Sequence, residues 1–93
     1  MSNVFILVTV SSQIENLFTD PYAGEGKDLS KVAVDILRIV KDIDCKATRS
    51  VLLSAAQTLV LGAHKSGLMW RQDEARTAHA IVSQYLKHLQ DEK

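Results

Sequence analysis

Ninety-three residues, 46% of them hydrophobic and 24% charged, are enough for one small packed domain and argue against intrinsic disorder. Eleven basic residues balance eleven acidic ones, which disfavours a domain that works by neutralising phosphates or anionic lipid. The single cysteine, Cys45, rules out an internal disulfide and suits a reducing compartment.

The first segment, about Asn3 to Thr19, carries two conflicting signals. Val4 to Val10 is rich in β-branched residues, which favours a strand. Leu7, Val10, Ile14 and Leu17 instead fall at spacings of three, four and three, one stripe of a helix. No other stretch reads as a strand, and a lone strand leaves its backbone groups unpaired. Helix is therefore expected; a strand would have to pair with a second copy of the chain. The apolar run is short, follows no Lys or Arg and precedes no small-x-small cleavage site, so a cytoplasmic protein without a signal peptide or membrane span is expected.

Asp20-Pro21 should end that element, and residues 20–27 should form a loop by their Gly and Pro content. Gly24-Glu25-Gly26-Lys27 resembles a phosphate-binding loop only superficially. That motif needs Gly where Pro21 stands and Ser or Thr where Asp28 stands.

Asp28 can cap a second helix, about Leu29 to Ile43. Its inward stripe would hold Leu29, Val32, Ala33, Ile36, Leu37, Ile39, Val40 and Ile43. Lys31, Asp35, Arg38 and Asp42 form a solvated face. Asp44 can cap a third helix, about Lys46 to Lys65. That helix is apolar on most sides and should lie centrally, covered by other helices or a second subunit. Gly67 suits a left-handed cap, with Leu68 folding back on Ala63. After a short link from Lys65 to Arg71, a fourth helix is expected from about Gln72 to Gln90, antiparallel to the third. The whole is an all-α bundle of three to four helices in a single domain over residues 1–93, with a C-terminal helical hairpin.

Motifs that carry chemistry are sparse. No two of His64, His79 and His88 are three or four apart, so no helix presents a ligand pair, and no metal or cofactor is expected. In the expected hairpin register His79 lies near Thr58 and His88 lies near Arg49, the end that carries Cys45. A Cys45–His88 pair is the one catalytic arrangement to weigh. The pairing is unspecific and a cysteine nucleophile also needs a substrate cleft, so a half-buried structural thiol is preferred and no enzyme is expected. In a helix-turn-helix reading, Arg71, Gln72, Arg76 and His79 would face bases. Asp73 and Glu74 would then meet phosphates, which disfavours nucleic acid as the partner.

Leu68-Met69-Trp70-Arg71 is more suggestive, because Trp and Met are enriched at buried interface centres. The alternative role for Trp70 is a plug at the end of the bundle. The N-terminal segment adds further apolar surface. The sequence thus points to a non-catalytic interaction or regulatory module, working as a homodimer or in a hetero-complex. Val4, Phe5, Leu7, Val8, Leu68, Met69, Trp70 and Arg71 are its expected contact residues. A small dimeric DNA-binding transcriptional regulator is the second reading. Nothing in the sequence names the partner or the process.

Overall fold

A computed structural model describes the backbone of residues 3–19, 26–64 and 68–91 and the side chains of 4–19, 28–64 and 72–90. Within these residues the chain forms four helices and no strand: α1 (Asn3–Thr19), α2 (Gly26–Val40), α3 (Lys46–Ala63) and α4 (Leu68–Asp91). The all-α bundle expected from the sequence is the fold.

α1 resolves the conflict between its two signals in favour of helix. Leu7, Val10, Ile14 and Leu17 are all buried in the common core, so burial of one stripe outweighs the weak strand preference of the β-branched residues. Threonines in these helices turn their hydroxyls back on the chain. Thr9 Oγ1 donates to the Phe5 carbonyl at 3.0 Å and Thr19 Oγ1 to the Glu15 carbonyl at 2.9 Å.

Three helix ends and one cap differ from expectation. α2 begins at Gly26, so Asp28 lies inside the first turn, where its carboxylate still faces the positive end of the helix dipole. It stops at Val40, although the apolar spacing continues to Ile43. Amides of Asp42 and Ile43 close onto the carbonyls of Ile39 and Val40 at 3.0 and 3.2 Å, and Ile43 is buried from the loop. The N-cap of α3 is Cys45, not Asp44, in extended conformation and without a side-chain cap bond. α4 starts at Leu68, four residues before the expected Gln72, which places Leu68 to Arg71 in helix and not in a turn. The capping role expected of Gly67 and the loop expected over 20–25 lie outside the described residues.

The helices alternate in direction. Thr48 meets Tyr85 and Gly62 meets Glu74, so α3 and α4 are antiparallel. Ser11 meets Ser83 and Glu15 meets His79, so α1 and α4 are antiparallel too. α4 packs on both α1 and α3, and α3 on both α2 and α4, whereas α1 touches α2 only sparsely. α3 is thus one corner of a four-helix arrangement and not its centre, which corrects the expectation from its composition. The buried core runs through all four helices.

Gly62 fixes one close approach. A Cβ there would come within 2.8 Å of both Glu74 Cβ and Leu29 Cδ2, so the missing side chain lets α2, α3 and α4 converge at one point. At the other end of α3, Thr48 is fully buried and its hydroxyl lies 3.0 Å from that of Tyr85. That pair gives a buried hydroxyl a hydrogen-bond partner within the core.

Candidate interaction surface

The expected contact residues fall into three groups. Phe5 and Val8 are exposed on α1, Phe5 by 62%, and Val4 beside them is half-buried. Leu7 is fully buried in its own chain, because it heads the inward stripe of α1, and it has no surface to offer a partner. Leu68, Met69, Trp70 and Arg71 form the first turn of α4; their side chains lie outside the described residues.

Phe5 borders a cleft of about 590 Å³ at one end of the α1/α2 seam, together with Ile6, Thr9, Ile39, Asp42, Asp44 and Cys45. Cys45 is exposed there. Its thiol is held below the ordinary cysteine range, first by the Thr48 hydroxyl and backbone amide, then by the Tyr85 hydroxyl and the Ala47 amide. Tyr85 therefore holds the position beside Cys45 for which the sequence offers His88. This role of Tyr85 and Thr48 was hidden in the sequence. The hairpin register had to be known to within a residue before a hydroxyl could be placed beside the thiol.

The histidines are dispersed. His64 caps the C-terminus of α3. His79 turns toward α1 and away from the Thr58 side. Its ring lies edge-on to Phe18 at 5.4 Å between centroids, with Ser83 Oγ at 3.4 Å and Glu15 Oε2 at 4.0 Å. Among the described residues no group of three or more His, Cys, Asp or Glu side chains is placed to hold a metal ion. No described helix is long and apolar enough to cross a membrane.

The larger apolar surface among the described residues lies elsewhere, on α2 and α3. Leu37 of α2, assigned by its spacing to the inward stripe, is 42% exposed. With Leu53, Ala56, Gln57, Val60 and Leu61 of α3 it borders a groove of about 560 Å³ between the two helices. Val34, three residues before Leu37 and also exposed, extends the surface along α2. The available signal was the excess of apolar residues around α3, which four helices of this length cannot all cover. No protein-family model matches this chain, and no curated protein or solved structure matches it either.

Proposed function

We propose that this chain is a non-catalytic interaction or regulatory module that works as a homodimer or within a hetero-complex. The reading rests on one observation. Among the described residues, seven large apolar side chains (Phe5, Val8, Val34, Leu37, Leu53, Val60 and Leu61) stay exposed while the core beneath them is filled by others. Single exposed apolar residues are ordinary, but contiguous ones on neighbouring helices mark surfaces that meet protein. The second reading, a DNA-binding regulator, finds little support in the geometry. Arg76, one of its expected base readers, is engaged with Asp73 at 3.4 Å and lies 5.5 Å over the Phe18 ring. α3 and α4 run antiparallel, unlike the steep crossing of a helix-turn-helix.

Native mass spectrometry of the full chain, paired with affinity capture from its native host, tests the interaction reading. The expected result is a stoichiometric assembly with itself or with a reproducible partner. A chain that stays monomeric and retains nothing reproducibly would overturn it. A gel shift at low salt addresses the second reading, and no retardation would remove it.

A further inference from the structure

Among the described residues the exposed large apolar side chains divide unevenly. Phe5 and Val8 sit on α1, whereas Val34, Leu37, Leu53, Val60 and Leu61 lie together along α2 and α3. We infer that the α2/α3 face is the docking surface for a second copy of this chain, seated groove to groove about a two-fold axis. This rests on the interaction reading above and narrows it to one partner and one surface.

Size is the first argument. Leu61 is 61% exposed and the other four between 38% and 45%. Together they present on the order of 300–400 Å² of apolar side chain, as much as the largest patch on a typical monomer. A standard interface buries about 800 Å² per partner, a little over half of it apolar. These five side chains alone supply most of that apolar part. Gln57, which lines the groove, and Ser54 beside it supply polar contact.

Arrangement is the second. Leu53 and Val60 are seven residues apart, about 10.5 Å along the helix, so the apolar anchors occupy the middle of the face. Lys41 lies four residues beyond Leu37 and Arg49 four before Leu53, so both cations sit at the same end of that face, and both are exposed. This is the apolar centre and polar rim of an interface. A two-fold axis that lies in the plane of the face and perpendicular to the helices sets the helices of one copy antiparallel to those of the other. It therefore carries the two basic ends to opposite extremes, where they do not repel. The formal net charge of zero removes long-range repulsion between copies as well.

Sedimentation velocity of the full chain over roughly 1–100 µM is the test. The expected result is a reversible dimer, with Leu53→Glu or Leu61→Glu weakening it at least roughly tenfold and Phe5→Glu leaving it unchanged. Circular dichroism confirms that each variant keeps its helices. Should the glutamate variants fail to fold, Gln57→Cys in a Cys45→Ser background gives an independent measurement. Mild oxidation should cross-link it into a covalent dimer, and failure to cross-link counts against the face. A strict monomer at the highest concentration overturns the inference, yet leaves the interaction reading standing if host capture returns another protein. A dimer that survives Leu53→Glu but is broken by Phe5→Glu overturns it too, moving the contact to α1.

Discussion

The seam between α3 and α4 and the seam between α1 and α2 are built from similar residues to different standards. At the first, a glycine lets the backbones converge, small residues such as Ala55, Ala75 and Ala78 are fully buried, and the buried hydroxyl of Thr48 has a partner in Tyr85. At the second, a cleft opens beside Phe5, and Gln13 Oε1 is buried without a hydrogen-bond partner among the described residues. The difference teaches that an apolar stripe secures a place in the core, but close packing of a seam also needs matched small residues and satisfied polar atoms.

Substitutions at the two seams should therefore differ in size, and chemical denaturation measures each. Leu59→Ala, at a fully buried position of α3, should destabilise by about 2–5 kcal/mol, since a packed site collapses poorly around a lost side chain. A loss below about 1 kcal/mol would mean that α3 is not held as described. Gly62→Ala comes next. Better helix propensity contributes up to about 1 kcal/mol, but the new methyl meets Glu74 Cβ and Leu29, and overpacking costs about 1–3 kcal/mol. The net should be a loss; a gain would show that α2 and α4 can move apart freely.

Tyr85→Phe should cost about 1 kcal/mol by removing the hydrogen bond between the Thr48 and Tyr85 hydroxyls. The same variant should raise the pKa of Cys45, since the Tyr85 hydroxyl is one of the groups that lower it. Alkylation by iodoacetamide followed against pH reads this directly, and the wild-type thiol should react at lower pH than a free cysteine. An unchanged alkylation profile would separate Tyr85 from the thiol. At the open seam, Gln13→Met should be neutral or stabilising by up to about 1 kcal/mol, because it removes a buried unpaired oxygen. A clear loss would show that the Gln13 amide is in fact satisfied and that the two seams are more alike than they look.

Helix stripes were the most legible feature of the sequence. The positions of α1 read as inward, Leu7, Val10, Ile14 and Leu17, are the ones buried, and so are Leu29, Ala33, Ile36, Val40 and Ile43 of the stripe read for α2. Helix ends were less legible. Ile43 kept the spacing of α2 after the helix had stopped, because apolar periodicity records burial and not hydrogen bonding. Surfaces were least legible of all. Leu37 and Leu53 look as apolar as Ile36 and Leu52, and a rotation of 100° separates an exposed position from a buried one.

By itself, then, the sequence determined the fold class, the antiparallel pairing of α3 with α4 and most of the core, since these follow from local spacing and chain breaks. Only the tertiary structure decided that α3 is a corner, that Tyr85 stands beside Cys45 and that α2 and α3 leave an apolar face uncovered. Each of these depends on which helices become neighbours and at what rotation, and no single segment encodes that relation.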